Sequence, residues 1–183
     1  MNDWNTYHIR TKNKSPRSIL VEAVSHCTHR KTALDLGAGA LNDARYLTEQ
    51  GFRVVAIDSN PHVTEFANNL DVRVMPIENY SYPVSYFDIV ASLYTLPFLK
   101  KDDVFTAMQK IRKSLRPNGI FVGQFFGRHD DWNGQCATHN RKEIKDLLKD
   151  MRIIKLEEEE NNRPTATGKM KHWHVFHIIA QKV

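Results

Sequence analysis

"TALDLGAGALNDARYLTEQGFRVVAIDSNP", residues 32–61, decides how the rest of the chain is read. A short apolar run leads into Gly37 and Gly39, and a second run ends on Asp58, nineteen positions after Gly39. A glycine pair between a strand and a helix makes a turn whose backbone a nucleotide-like ligand can approach. The third glycine of G-x-G-x-x-G is replaced by Asn42, however, and an acid, Asp35, stands two residues before Gly37.

Outward from this stretch, apolar runs alternate with segments of helical spacing. Ser15-Pro16 predicts a helix start for SILVEAV (18–24). TALDL (32–36) reads as a buried strand, Asn42 as the cap of a helix over DARYLTEQ, and Gly51 as its end. FRVVAID (52–58) is a strand, Asn60-Pro61 opens a helix over HVTEFANN, and VRVM (72–75) and FDIVAS (87–92) are strands. Asp102 caps VFTAMQKIRKSL, with Val104, Met108, Ile111 and Leu115 as its apolar stripe. RPNG (116–119) is a turn, IFVGQFF (120–126) a strand and RKEIKDLLKD a helix. MRIIKLEEEE and HWHVFHIIAQKV close the chain as two antiparallel strands, joined by about eleven polar residues that include Pro164 and Gly168. Strands separated by single helices predict an α/β protein, a mainly parallel Rossmann-like sheet in three layers with helices on both faces.

The 183 residues suit one domain, expected over 1–183. The net charge of +5 is spread along the chain and points only weakly to an anionic partner. Cys27 and Cys136 are far apart and in no C-x-x-C, which reads as free thiols in a reducing compartment. MNDWNTYHIRTKNK lacks the apolar run of a signal peptide, and no stretch reaches the ~20 apolar residues that span a bilayer. A cytoplasmic protein, monomeric or homodimeric and with no membrane partner, is expected.

In such a sheet, ligands bind at the carboxyl ends of the strands, where the strand order reverses. A dinucleotide sets its pyrophosphate on the helix N-terminus, where an acid is unhelpful. S-adenosylmethionine has no phosphate and carries an ammonium and a sulfonium. The glycine pair lets backbone approach its methionine arm, Asp35 adds negative potential near the cations, and Asp58 can accept both ribose hydroxyls. The competing readings are a ligand-free turn at Gly37 and Gly39 and a helix cap at Asp58. The acid before the glycines favours S-adenosylmethionine.

The same segments carry a family resemblance. LDLGAGA, VVAIDSNP, YFDIVASLYTLPFL, LRPNGIFVGQFFG and HWHVFHIIAQK resemble, in order, the motifs of the class I S-adenosylmethionine-dependent methyltransferases. The small single-domain tellurite-resistance type is the nearest in kind. The resemblance implies a seven-stranded sheet with the last strand antiparallel beside the fifth. It also implies cofactor contacts at Asp35, Gly37, Ala38, Gly39, Asp58 and Ser59. Leu41 stands where the family motif has its third glycine. The family's adenine-binding acid falls at Pro76, so Glu78 or Asn79 is expected to serve instead, with the Ile77 backbone against the ring. Ser92, Leu93 and Tyr94 follow the fourth strand, as cofactor contacts or as ordinary packing.

Methyl transfer is a direct displacement for which the protein supplies alignment and excludes water. The loop GRHDDWNG (127–134) is the richest polar segment near the expected acceptor; His129 and Asp131, with Tyr94, are the candidate catalytic groups, and an ordinary surface loop is the rival reading. His172 and His174 share a strand face, but the sequence sets no third ligand beside them, so structural histidines and no metal are expected. The segment before Ser15 holds Trp4, Tyr7 and Ile9 and is expected to fold over the cofactor, with Tyr7, His8 and above all Arg10 reaching its carboxylate. A helix packed on the sheet is the alternative. A small-molecule acceptor is the leading reading. A basic stripe of Arg128, Lys169 and Lys171 would instead favour nucleic acid or protein, which is not expected, and a non-catalytic cofactor binder is the third class.

Overall fold

The computed structural model describes residues 4–60 and 67–183. Thr32–Leu36 (β1) and Phe87–Ser92 (β4) are buried along their whole length, as strands covered on both faces must be. β1 runs parallel to Arg53–Asp58 (β2), which pairs in turn with Leu70–Val74 (β3). On its other side β1 pairs with β4, and β4 with Leu115–Gly127 (β5), again in parallel. The two-residue Thr138–His139 (β6) pairs with the end of β5, bringing the sheet to eight strands. Met151–Pro164 (β7) and Met170–Lys182 (β8) form an antiparallel hairpin, and β8 slots antiparallel between β5 and β7. The order β3-β2-β1-β4-β5-β8-β7 reverses between β1 and β4, which puts the ligand crevice at the carboxyl ends of those two strands.

Among the described residues there are five α-helices: Trp4–Thr11 (α1), Ser18–Ser25 (α2), Asn42–Glu49 (α3), Lys101–Ser114 (α4) and Arg141–Leu147 (α5). Leu20 and Val24 of α2 and Leu47 of α3 pack on Ala33, Val54, Ala56, Ile89 and Ala91. Val104, Met108 and Ile111 of α4 and Ile144 of α5 pack on the other face, against Leu34, Leu36, Val90 and Phe121. Because side chains alternate along a strand, Asp35 and Asp58 share the face covered by α2 and α3. No helix among the described residues is long and apolar enough to cross a membrane.

Several predicted boundaries shift for local reasons. α2 begins at Ser18 with Arg17 as its cap residue, because the Arg17 amide donates to Asp43 Oδ1 rather than to a side chain of its own segment. Asn42 is the first helical residue of α3, and its side chain donates to the Thr11 carbonyl instead of capping. Lys100, not Asp102, precedes α4; Asp102 and Asp103 lie in its first turn and favour it through the helix dipole. The stretch 116–119 is a bulge inside β5: Phe87 pairs with Leu115 and Ile89 with Ile120, with Asn118 at φ 64° in the excess chain. The β7–β8 connection is far shorter than eleven residues, since both strands extend to Pro164 and Met170. The helix predicted over HVTEFANN lies largely outside the described residues.

Candidate functional site

Three backbone amides weld the glycine turn to the end of β2. Gly37 and Ala38 donate to the Ile57 carbonyl at 2.7 and 3.0 Å, and Gly39 donates to Asp58 Oδ2 at 2.8 Å. Both glycines have left-handed backbone, φ 73° and 50°. A Cβ on Gly37 would lie 1.9 Å from Thr95 Oγ1, so a side chain from the loop after β4 already covers that residue. A Cβ on Gly39 would meet nothing closer than 3.9 Å, so the open side of the turn is there. Leu41 is also left-handed, at φ 62°, and buried. A glycine would hold this backbone freely, whereas a leucine bears roughly 1–2 kcal/mol of strain in exchange for burying its side chain.

Asp35 is 3% exposed, and its Oδ2 has no hydrogen-bond partner among the described residues. Burial, then the charge of Asp43, pushes its pKa up to about 8; Arg17 opposes the shift and Asp58 adds to it. An unpartnered buried carboxyl oxygen beside a left-handed glycine turn fits a ligand that brings a cation. Asp58 is already engaged, since Oδ1 accepts from the Asn60 amide and Oδ2 from Gly39. Each oxygen retains a second acceptor site. Ser59 is exposed beside it.

α1 lies over strand ends rather than against a sheet face. Trp4 meets Phe98 edge-on at 5.1 Å, the Thr11 carbonyl accepts from Asn42, and Arg10 Nη1 donates to Thr167 O at 2.7 Å. Arg10 is therefore held at the β7–β8 turn. Arg17 is the arginine near the acids: it pairs with Asp43, stands 3.4 Å from the Tyr7 hydroxyl and sits 5.8 Å from the Tyr94 ring. Sequence reasoning missed Arg17, Asp43 and Thr95, because only the tertiary fold brings them to the turn. His8 Nδ1 is buried without a partner among the described residues.

Beyond β3, Ile77 is buried while Glu78 and Asn79 are exposed, all in one short 3-10 turn. Ser92 ends β4 fully buried, its Oγ unpartnered among the described residues, and Leu93 is buried after it. Tyr94 has φ 62°, and its hydroxyl accepts from Arg163 at 3.2 Å. Its ring joins an aromatic wall of Phe126, Trp132, Trp173 and Phe98, with centroids 5.4–6.2 Å apart in neighbouring pairs. Lys171 Nζ lies inside that wall, 3.8 Å from the Trp173 ring centroid and paired with the buried Asp130. Arg128 is bound to Glu143. Two of the three residues of the expected basic stripe are thus neutralised.

His129 and Asp131 turn toward the β7–β8 hairpin. Asp131 Oδ2 accepts from the His172 amide at 2.8 Å, and His129 Nδ1 lies 3.3 Å from Glu160 Oε2. His129, Glu160 and His174 each bring a ligand atom within 4.8 Å of the others. The third group that the sequence did not place beside the strand histidines comes from β7 and the loop after β5, through pairing of Glu160 with His174.

This fold and site define a class. Residues 34–123 match the methyltransferase domain family. The match covers just under half of the chain and supports a class I S-adenosylmethionine-dependent methyltransferase with S-adenosylmethionine as cofactor. It is 27% identical over 95 residues to carboxy-S-adenosyl-L-methionine synthase of Vibrio parahaemolyticus, covering 48% of this chain and 39% of that one. The chain thus spans about two fifths of the length of the curated relatives it matches. Among solved structures, TehB from Haemophilus influenzae superposes with a TM-score of 0.77 at 18% identity, over 91% of this chain and 62% of that one. The 1,6-didemethyltoxoflavin-N1-methyltransferase of Burkholderia thailandensis, solved with 1,6-didemethyltoxoflavin and S-adenosylhomocysteine, gives 0.65 at 20% identity, over 91% and 79%.

Proposed function

We propose that this chain transfers a methyl group to a small-molecule acceptor, acting as one domain over 1–183. When bound, S-adenosylmethionine supplies a methyl group already activated on sulfonium. The residues of the chain bind, orient and exclude water. Asp35 Oδ2 takes an ammonium, the open side of Gly39 admits the methionine arm, and Asp58 accepts ribose hydroxyls through its remaining sites. Ile77, Glu78 and Asn79 border the adenine, and Ser92 and Leu93 border the space beside β1. Arg17 replaces Arg10 as the positive group near the carboxylate.

The observation that carries the acceptor reading is the wall of Tyr94, Phe98, Phe126, Trp132 and Trp173 at the carboxyl ends of β4 and β5, with Trp4 of α1 against Phe98. Such a roofed apolar wall suits a small molecule and leaves little platform for a macromolecule. Tyr94 is the polar group best placed to orient that molecule, whereas His129 and Asp131 are occupied by the hairpin. A cytoplasmic setting fits the two free cysteines, Cys27 and Cys136. The test is S-adenosylhomocysteine formation with a panel of small aromatic acceptors, for the whole chain and for a deletion of residues 1–12. Turnover lost in a deletion that still folds supports the reading. Equal turnover, or activity confined to nucleic acid or protein, refutes it.

A further inference from the structure

We propose that His129, Glu160 and His174, with His172 beside them, form a binding site for a divalent transition-metal ion, zinc by the chemistry of the donors, between the β7–β8 hairpin and the loop after β5. Glu160 is its centre. Oε1 lies 3.0 Å from His172 Nε2 and Oε2 lies 3.3 Å from His129 Nδ1. Tetrahedral zinc with nitrogen and oxygen ligands at 2.0–2.2 Å separates neighbouring ligand atoms by roughly 3.3 Å, so both pairs already have that spacing.

The histidines are braced as metal ligands are. His172 is fixed between Asn162 Oδ1, 2.8 Å from its Nδ1, and Glu160, and Glu160 is thereby held in place. His174 Nε2 lies 2.9 Å from Glu158 Oε1, and Glu158 is itself tied to Arg141. Carboxylate or amide oxygens on the outer ring nitrogens fix tautomer and orientation at metal sites. His174 Nδ1 accepts from the His129 amide at 3.2 Å, a long bond that an ion would replace, and the two rings lie with centroids 4.9 Å apart.

His174 is rigid, its side chain 5% exposed, while His129 and Glu160 are 69% and 45% exposed and free to close on an ion. Two or three imidazoles with one carboxylate suit zinc and its neighbours rather than magnesium or calcium, which take oxygen ligands. An ion here would tie the loop carrying Trp132 to the strand carrying Trp173. The inference does not depend on methyl transfer.

Untagged full-length protein, stripped with chelator, is titrated with Co²⁺ by absorbance and with Zn²⁺ by calorimetry. One Co²⁺ per chain with the intense visible bands of a tetrahedral site, displaced by Zn²⁺, is expected. His129→Ala and Glu160→Gln, both at exposed groups, should each weaken Zn²⁺ binding at least about tenfold. His29→Ala, at an exposed histidine elsewhere, should leave it unchanged. Circular dichroism checks that each variant is folded. Substoichiometric binding, or equal affinity in wild type and both site variants, overturns the site.

Discussion

Asp35 and Asp58 lie on neighbouring parallel strands and face the same side of the sheet, yet only Asp58 has both carboxylate oxygens bonded. Asp58 shapes the glycine turn by holding the Gly39 amide. Asp35 Oδ2 holds no hydrogen-bond partner among the described residues. On the proposed reading it is the acid that would receive the ligand's cation, and that asymmetry would separate scaffold from recognition at this site.

The first prediction is a pH dependence. Asp35 titrates at about 8 in the folded chain against an ordinary 3.8. The folded state therefore holds the proton more tightly than the unfolded state. Its contribution is fully present below about pH 4 and is lost as pH rises toward 8. Asp35→Asn keeps the shape without the charge. It should raise Tm at pH 8 by roughly 2–4 °C per kcal/mol recovered, while abolishing cofactor binding. Differential scanning calorimetry at pH 5 and pH 8 reads the effect; a variant less stable at pH 8 than the wild type would contradict it.

Asp58→Ala removes a charged acceptor, an effect of roughly 1.5–3 kcal/mol. S-adenosylhomocysteine affinity should fall about tenfold to more than a hundredfold by calorimetry. Binding within twofold of wild type would move the ribose elsewhere.

Gly37 and Gly39 should differ although both are left-handed. A methyl at position 37 collides with Thr95 Oγ1 at 1.9 Å, whereas one at 39 finds nothing nearer than 3.9 Å. Gly37→Ala should be the more destabilising in urea titrations, and adding Thr95→Gly should narrow the gap. Gly39→Ala should retain more stability but lose affinity, because the open side of the turn is filled. Equal stability losses in the two single variants would mean that Thr95 does not cover the turn.

Lys171→Met should lower stability by roughly 3–5 kcal/mol, because it leaves Asp130 buried without its cation. Burial already pulls the Lys171 pKa down. An urea midpoint unchanged from wild type would show that Asp130 finds another partner or is protonated.

The layered sheet was legible because β1, β4 and most of β2 are apolar runs with capped or glycine-ended helices between them. Asp35, Gly37, Gly39 and Asp58 were legible because strand and turn place them within one local unit. Arg17 and Thr95 were not, since each reaches the turn from a different element and neither sits in a motif. The same holds for Glu160, one of four consecutive acids at the end of MRIIKLEEEE, which only the pairing with β8 sets opposite His174. Asn42 does not cap because its side chain donates to the Thr11 carbonyl, and Asp102 does not because α4 starts one residue earlier and takes it into the first turn.

The placement of β8 has a consequence for how the chain is made. Residues 175–181 pair with 120–126 on one side while β8 pairs along its length with β7 on the other. During synthesis, the ribosome releases β1 to β5 long before β8, the antiparallel neighbour of β5, exists, leaving β5 with an open apolar edge. Such late, long-range closure slows folding and exposes the nascent chain to aggregation. Chaperone demand should therefore fall on the interval between completion of β5 and release of β8.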